Sequence, residues 1–240
     1  MGGRKGRSLV VAAAQPGCVP YDVGENARTH AAVVRLADAR IVAFPELSLT
    51  GYELDAAVVA ADDPRLAPIV DACAETGSLA LVGAPVRSDA GEHIAVLAVD
   101  GTGGSVAYHK MWLGDAESDR FTPGAAPAVL EVDGWRLGLA ICKDTGIPQH
   151  ASDTVALGID VYVAGVLDSA DDATIQDERA RRVAADHHVW VAVASFAGST
   201  GGGYERAAAR SRIWSPDGVV VASANAATGG LARATLNRSG

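Results

Sequence analysis

Short apolar runs alternate with segments of helical periodicity along most of the chain, and this alternation predicts its elements. An apolar run closed by turn residues is typical of a buried strand, whereas apolar residues three or four apart indicate a helix. The pattern predicts strands at Leu9–Ala14, Ile41–Phe44, Leu79–Gly83, Ile94–Asp100, Val106–His109, Ala128–Val132, Trp135–Ile141, Val161–Val166, Val189–Ser195, Arg212–Trp214, Val219–Ala222 and Leu231–Leu236. It predicts helices over Asn26–Ala39, after Pro64, before Gly158 and over Ala173–His188.

Turn sequences separate several neighbouring strands, which predicts antiparallel hairpins within the alternating pattern. Asp133-Gly134 is a strong two-residue hairpin signal, and Gly101-Thr-Gly-Gly104 and Ser215-Pro-Asp-Gly218 have the composition of turns. Alternating strands and helices with inserted hairpins predict an α/β fold in which helices cover a mixed sheet system. No repeat or linker divides the chain, so we expect a single domain over residues 9–240 after a flexible tail over residues 1–8.

Composition and charge narrow the functional class. Of the 240 residues, 49% are hydrophobic and 20% are charged, which is ordinary for a soluble globular protein with a large core. The net charge of −9 argues against nucleic-acid binding, because no basic excess is available to displace phosphate counterions. No apolar window approaches the length of a membrane span. Three widely spaced cysteines without a CxxC pair predict free thiols in the cytoplasm.

Three reactive side chains follow three of the predicted strands. Glu46, Lys110 and Cys142 each stand one or two residues beyond the end of a buried apolar run. In layered α/β folds this rim presents reacting groups to ligands, so we expect the three side chains to share one cleft. Taken singly, each has a plainer explanation: a solvated loop charge for Glu46 or Lys110, and a small buried hydrophobe for Cys142.

Together the three residue types match the needs of acyl transfer. A thiol needs a base to become a thiolate, and a carboxylate in apolar surroundings has its pKa raised enough to take that proton. Attack on a carbonyl creates an oxyanion, which a buried ammonium and the N–H groups after the cysteine can stabilise. This chemistry requires no metal and no cofactor.

Five segments, spread over most of the chain, carry a family resemblance: Phe44-Pro-Glu46-Leu-Ser-Leu-Thr-Gly-Tyr52, Tyr108-His-Lys110, Phe121-Thr-Pro-Gly124, Gly138-Leu-Ala-Ile-Cys142-Lys-Asp144 and Ser211-Arg-Ile-Trp-Ser-Pro-Asp-Gly218. In this order they resemble the motifs of the nitrilase, or carbon–nitrogen hydrolase, superfamily. The resemblance implies a four-layer α-β-β-α sandwich with Glu46 as general base, Lys110 as oxyanion stabiliser and Cys142 as nucleophile. It also implies that Glu117 orients the lysine and the leaving group; the alternative for Glu117 is a solvated acid in an acidic loop.

The same resemblance implies a cofactor-independent amidase that forms a thioester on Cys142. The short segment from Lys110 to Cys142 has no room for the long insertions of the larger nitrile-hydrolysing members. Linear amides, with N-carbamoyl compounds among them, are therefore the expected small-molecule substrates. An acyltransferase on the same triad and a catalytically idle scaffold are the alternatives. The resemblance further suggests a homodimer or higher homo-oligomer paired across the outer helices, whose Ala-rich faces can pack closely.

Four further residues are candidates for substrate binding. Tyr52, Trp112 and Asp144 stand beside the triad in sequence, with plain packing as the alternative for each. Lys143 departs from the family pattern, in which many members carry an aromatic residue after the cysteine. Turned inward, Lys143 favours substrates that bear a carboxylate; turned outward, it is a solvated charge paired with Asp144. The outward orientation is favoured, because two ammonium groups in one small site repel each other.

Two other features have explanations that need no further chemistry. The side chains of His187 and His188 diverge and have no metal-binding partner at a matching spacing, so no metal site is expected. The three glycines 201–203 lack the strand–helix context of a phosphate-binding loop. We interpret them as a mobile flap over the pocket.

Overall fold

The protein was examined as a computed structural model that describes residues 8–238. Apart from Ser8, the predicted flexible tail lies outside the described residues. The helices and strands follow one another as β1 Leu9–Gln15, α1 Val23–Ala37, β2 Ile41–Ala43, α2 Ala67–Thr76, β3 Leu79–Ser88, β4 Gly91–Asp100, β5 Gly103–His109, α3 Asp115–Ser118, β6 Val129–Val132, β7 Trp135–Ile141, α4 Pro148–Ala156, β8 Val161–Val166, α5 Ala173–His187, β9 Trp190–Ser195, β10 Ala197–Gly198, β11 Ala207–Ala208, β12 Arg212–Trp214, β13 Val220–Ser223 and β14 Gly230–Leu236.

The two six-stranded sheets have the same arrangement of parallel and antiparallel strands. Their strand orders are β14-β1-β2-β3-β4-β5 and β13-β12-β9-β8-β7-β6. Three neighbouring strands in each sheet run parallel, β1 to β3 in the first and β7 to β9 in the second, and antiparallel strands flank them. The carboxyl ends of parallel strands meet at one edge of a sheet, so the residues after β7 and β8 lie close together. Strands β2 and β8 contact each other across the two sheets, which brings the residues after β2 to the same region.

The side chains form cores on both faces of each sheet. Between the sheets, Leu9 and other inward residues of the first sheet pack with Leu137 and its neighbours in the second. Val34 of α1 and Ile69 of α2 belong to the core on the outer face of the first sheet, and Val183 of α5 belongs to the core outside the second. These layers confirm the predicted four-layer α-β-β-α sandwich. Among the described residues no helix is long and apolar enough to cross a membrane.

Local turn chemistry explains the hairpins. Asp133 and Gly134 have φ angles of +52° and +84°, as a two-residue turn of the primed type requires, and Val132 pairs with Trp135. The turn at residues 215–218 joins β12 to β13 as predicted. Both hairpins are therefore confirmed.

Several bounds differ from the prediction. Helix α1 starts at Val23, ahead of the predicted Asn26, because the Asp22 carboxylate accepts the N–H of Glu25 and caps it. Strands β3 and β4 extend to Ser88 and from Gly91, since their hairpin continues beyond the buried apolar positions. The ribbon of β10 and β11 and the short helix α3 were not predicted, because neither carries a periodic apolar pattern.

Candidate active site

Glu46 lies in a tight turn held between the two sheets. The chain turns after β2, and Leu47 adopts a left-handed conformation with φ +50°. A Cβ on Gly83 of β3 would lie 2.4 Å from the Leu47 nitrogen, and one on Gly165 of β8 would lie 2.5 Å from the Phe44 oxygen. Only glycine fits at these two positions, so strands of both sheets support the turn that carries Glu46.

Lys110 follows β5 directly and is 1% exposed. Its Nζ donates to Oε1 of Glu46 at 2.6 Å, and to Oε1 and Oε2 of Glu117 at 2.7 and 2.8 Å. Its backbone N–H donates to the Ile94 carbonyl, and its carbonyl accepts from Gly124, which fixes the main chain on both sides. The ammonium group is thus held by two acidic side chains away from water.

Glu117 belongs to α3 and is buried. Besides Lys110, its carboxylate accepts the hydroxyl of Tyr52 at 2.7 Å and the N–H of Gly114 at 2.6 Å. Burial by itself raises the pKa of Glu117, but Lys110 and these donors outweigh it and hold that pKa below its usual range. The alternative of a solvated loop acid is therefore wrong, and the structure brings Glu117 to Lys110.

Cys142 follows β7 in a left-handed conformation, with φ +40°. A side chain disfavours this region, and such backbone strain is typical of functional sites. Its Sγ donates to the Leu167 carbonyl at 3.2 Å. Cys142 also begins a 3₁₀ turn that continues to Gly146, and the first N–H groups of such a turn lack partners within it.

Burial and charge shift the pKa values of the three groups. Burial raises the pKa of the Cys142 thiol well above its ordinary value, Glu46 and Asp168 add to the rise, and Lys110 opposes it. Burial also raises the pKa of Glu46 to about 8, against the charge of Lys110. Burial lowers the pKa of Lys110, but the charges of Glu46, Cys142 and Glu117 carry it above its usual range. Within residues 8–238, the buried Oε2 of Glu46 has no hydrogen-bond partner.

Tyr52 and Trp112, two of the predicted substrate-binding residues, make different contacts. The hydroxyl of Tyr52 reaches Glu117, and its ring packs edge-on against Tyr204 with 5.2 Å between ring centroids. The Trp112 ring packs edge-on against His150 at 5.6 Å. Tyr52 therefore contacts an acid that binds Lys110. The Trp112 ring packs against His150, which agrees with the plain packing given as its alternative role.

The predicted pair of Lys143 and Asp144 does not form. Lys143 is exposed, and its Nζ donates to the Leu113 carbonyl at 2.6 Å. Asp144 is fully buried, and its oxygens accept two backbone N–H groups and the hydroxyl of Tyr108. The outward orientation of Lys143 removes the basis for a carboxylate-binding lysine. Asp144 makes its hydrogen bonds inside the protein.

Asp168 is a residue near the thiol that the sequence analysis missed. It stands two residues after β8 and directly after Leu167, whose carbonyl accepts the Cys142 thiol. Its Oδ1 lies 3.4 Å from Nη1 of Arg179, and its charge acts on the pKa of Cys142. The criterion that singled out the other reactive residues, a polar side chain just past a buried strand, would also have found Asp168.

The loop between β10 and β11 lies beside this region. Its glycines 201–203 all have positive φ angles, and the N–H of Gly202 donates to Glu53 Oε1 at 3.2 Å. Tyr204 follows them, and its pKa is raised by burial and by the charges of Cys142 and Glu46. The predicted flap therefore lies beside the reactive groups; its mobility stays a prediction.

The two adjacent histidines close a helix. His187 is the last residue of α5, and His188 adopts a left-handed conformation at its end. Across residues 8–238, no group of three or more His, Cys, Asp or Glu side chains is placed to hold a metal ion. That the chemistry needs no cofactor stays a prediction.

Comparison with known sequences assigns the family. The carbon-nitrogen hydrolase family model matches residues 10–240. This chain belongs to that family and so to the nitrilase superfamily, as its motifs indicated. A Pseudomonas protegens hydrolase, named for its place in the pqqF 5′ region, is 29% identical over 215 residues, which are 85% of this chain and 75% of that protein. A Mycobacterium tuberculosis hydrolase is 30% identical over 132 residues, or 51% of this chain and 47% of that protein.

Solved structures agree on the fold. The amidase of Nesterenkonia sp. AN1 in complex with butyramide has a TM-score of 0.85, at 21% identity over 98% of this chain and 93% of that chain. A CN-hydrolase superfamily protein of Xanthomonas campestris, with an arsenic adduct in its active site, has a TM-score of 0.86. Its identity is 17%, over 96% of this chain and 91% of that chain. At these identities the likeness establishes the shared fold alone.

Proposed function

We propose that this carbon–nitrogen hydrolase is an amidase that cleaves linear, non-peptide amides through a thioester on Cys142. The observation that carries the proposal is the buried ammonium of Lys110, bonded to Glu46 and Glu117, beside a thiol on a strained strand end. The unpartnered Oε2 of Glu46 supports its role as the base. The amidase of Nesterenkonia sp. AN1, which shares this fold, binds butyramide, and this supports small amides as the substrate class.

In the acylation step, Glu46 in its ionised form takes the thiol proton while Sγ of Cys142 attacks the amide carbon, and the raised pKa of Glu46 makes it a stronger base. The carbonyl oxygen gains the negative charge, which the Lys110 ammonium and an N–H group at the start of the 3₁₀ turn stabilise. When the C–N bond breaks, Glu46 returns the proton to the leaving nitrogen. Ammonia or an amine departs, and the acyl group remains on sulfur as a thioester.

In the deacylation step, Glu46 takes a proton from water, and the resulting hydroxide attacks the thioester carbon. Lys110 stabilises the second oxyanion as it did the first. The C–S bond then breaks, and the thiol recovers its proton as the carboxylic acid leaves. Glu117 holds the ammonium in place throughout, because its carboxylate is bound by Lys110 and by the Tyr52 hydroxyl.

The proposal includes a cellular setting and a partner. Cys18, Cys73 and Cys142 are all free thiols. Free thiols persist where the redox poise is reducing, so we place the protein in the cytoplasm. Its partner in the reaction is a small-molecule amide, and no cofactor takes part in any step.

The replacement Cys142→Ala tests the proposal. No other group can form the thioester, so we expect turnover to be lost while the fold and the melting temperature are kept. The measurement is ammonia release from a panel of ω-amides, N-carbamoyl amino acids and simple nitriles, with the free acid quantified to distinguish hydrolysis from acyl transfer.

Cys73→Ala is the matched control. This buried thiol packs in the core outside the first sheet, and its replacement should leave most of the activity. Full turnover in Cys142→Ala with an unchanged melting curve would refute the role of Cys142.

A further inference from the structure

We propose that Asp144 is a positioning residue that ties the segment carrying Lys110 to the segment carrying Cys142. This role rests on the proposed function of those two residues. It replaces the expectation that Asp144 binds substrate, and it assigns a purpose to a carboxylate that is 0% exposed beneath the reactive groups.

The hydrogen bonds of Asp144 reach both segments. Its Oδ2 accepts the N–H of Ile141, the residue before Cys142, at 2.9 Å. The same oxygen accepts the hydroxyl of Tyr108 at 2.8 Å, and Oδ1 accepts the N–H of Trp112 at 2.9 Å. Tyr108 and Trp112 stand two residues before and two residues after Lys110. One carboxylate therefore holds both sides of the lysine and the residue next to the thiol.

The two segments belong to different sheets. Tyr108 is in β5, which pairs with β4, whereas Ile141 is in β7, which pairs with β6 and β8. Backbone ladders thus fix each segment within its own sheet, and side-chain contacts set their separation. A carboxylate that only capped the 3₁₀ turn would need the Ile141 bond alone, but a second bond reaches Tyr108 in the other sheet and a third reaches Trp112, three residues beyond that strand.

A chain of hydrogen bonds through His150 to Tyr162 orients the Tyr108 hydroxyl. Because that hydroxyl donates to Asp144, the His150 Nε2 at 2.9 Å must donate to it. His150 Nδ1 is then the acceptor for the Tyr162 hydroxyl at 2.8 Å. The neutral Nε2–H tautomer satisfies every group in this chain, and burial, which lowers the pKa of His150, favours that neutral ring. Tyr108 is therefore held toward Asp144.

The separation of Lys110 and Cys142 decides how well the ammonium can act. In a site shielded from water, the attraction of an ammonium for a thiolate or an oxyanion depends steeply on distance. Misplacement by about 1 Å can cost about 10²-fold in rate. Loosening the bonds of Asp144 should therefore impair catalysis more than it impairs folding or substrate affinity.

Tyr108→Phe is the variant that tests this role, because it removes one bond between the sheets and keeps the ring. We expect kcat to fall roughly tenfold or more with little change in KM. The pH midpoint for alkylation of Cys142 by iodoacetamide should shift upward, because the ammonium that lowers the thiol pKa is held less closely. Asp144→Asn should show a larger loss of the same kind, and Tyr108→Phe answers the question if Asp144→Asn does not fold.

Ser78→Ala is the control. It removes a buried hydroxyl whose hydrogen bond to the Ala39 carbonyl lies outside the network of Asp144. The proposal is overturned if Tyr108→Phe loses as much melting temperature as the control but keeps wild-type kcat and the wild-type alkylation profile. Asp144 would then only stabilise the fold. Failure of the proposed function has a different signature: wild-type protein without amide turnover, or an active Cys142→Ala. The alkylation profile still reports on Asp144 in that case.

Discussion

At the scale of single residues, the charge balance of the site centres on Lys110, whose ammonium lies between the carboxylates of Glu46 and Glu117. These side chains are almost completely shielded from water: Lys110 is 1% exposed, Glu46 0% and Glu117 3%. A buried charge left without its partner is strongly destabilising. The lysine therefore has a structural role in the resting protein in addition to its proposed role in the reaction.

Replacement of this lysine separates the two roles. Lys110→Met should lower kcat by about 10²–10³ with a smaller change in KM, because the ammonium is needed mainly when charge develops on oxygen. The melting temperature should also fall, since the buried Glu117 carboxylate loses its counter-ion. Steady-state kinetics and thermal unfolding measure both effects. Lys143→Met, which removes an exposed ammonium, is the control, and an effect on KM alone would mean that Lys110 only holds substrate.

The raised pKa of Glu46 predicts how stability depends on pH. Burial raises this pKa from 4.5 to about 8, so the folded state keeps a proton that the unfolded chain releases. The stabilising contribution is complete below pH 4.5 and is lost as the pH rises through 8. Glu46→Gln removes this dependence, so the variant should gain stability relative to wild type as the pH rises across that window.

Urea unfolding at the two ends of the window measures the effect. Glu46→Gln leaves Lys110 paired with Glu117, so no ammonium is stranded in the interior. Glu25→Gln, which removes a carboxylate from an exposed ion pair, is the control. A stability difference between Glu46→Gln and wild type that is independent of pH would contradict the raised pKa.

At the scale of elements, two strand glycines decide where the base lies. Gly83→Ala should displace the turn that carries Glu46, because the new Cβ would lie 2.4 Å from the Leu47 nitrogen and 2.5 Å from the Pro45 oxygen. These are backbone atoms within a packed core, so the overpacking should cost about 2 kcal/mol or more of stability and most of the activity. Denaturant unfolding and amide turnover are the measurements.

The matched control is an alanine in an open position. A Cβ at Gly24 of α1 has its nearest neighbour at 3.6 Å, an ordinary contact. Gly24→Ala should therefore be neutral or slightly stabilising, as alanine favours helix. If Gly83→Ala behaved like Gly24→Ala, the turn would not depend on the close approach of β3.

At the scale of the whole molecule, we propose a homodimer or higher homo-oligomer, as the family resemblance suggests. Several alanines of the outer helices pack inside the chain and so do not supply the surface for this pairing. Ala27 and Ala31 of α1 and Ala180 and Ala184 of α5 are buried against their own sheets. Light scattering across micromolar concentrations should give the mass of two or more chains. The mass of a single chain over that range would refute the proposal.

The sequence by itself determined the elements and the location of the reactive residues. Apolar runs and turn residues act locally, so the strands and the Asp133-Gly134 hairpin could be read directly. The positions of Glu46, Lys110 and Cys142 past strand ends, together with the motif resemblance, predicted that they would meet. The hydrogen bond from Lys110 to Glu46, 64 residues away in sequence, shows that the fold brings two of these residues together.

Only the tertiary structure decided the direction of individual side chains and the backbone strain at the thiol. Lys143 turns outward because the Leu113 carbonyl, 30 residues away in sequence, accepts its ammonium. Asp144 is buried because Tyr108, 36 residues away, donates to it from the other sheet. The left-handed conformation of Cys142 is imposed where a strand meets a 3₁₀ turn. Such features depend on partners that only the packing of the two sheets brings together, so the local sequence pattern cannot predict them.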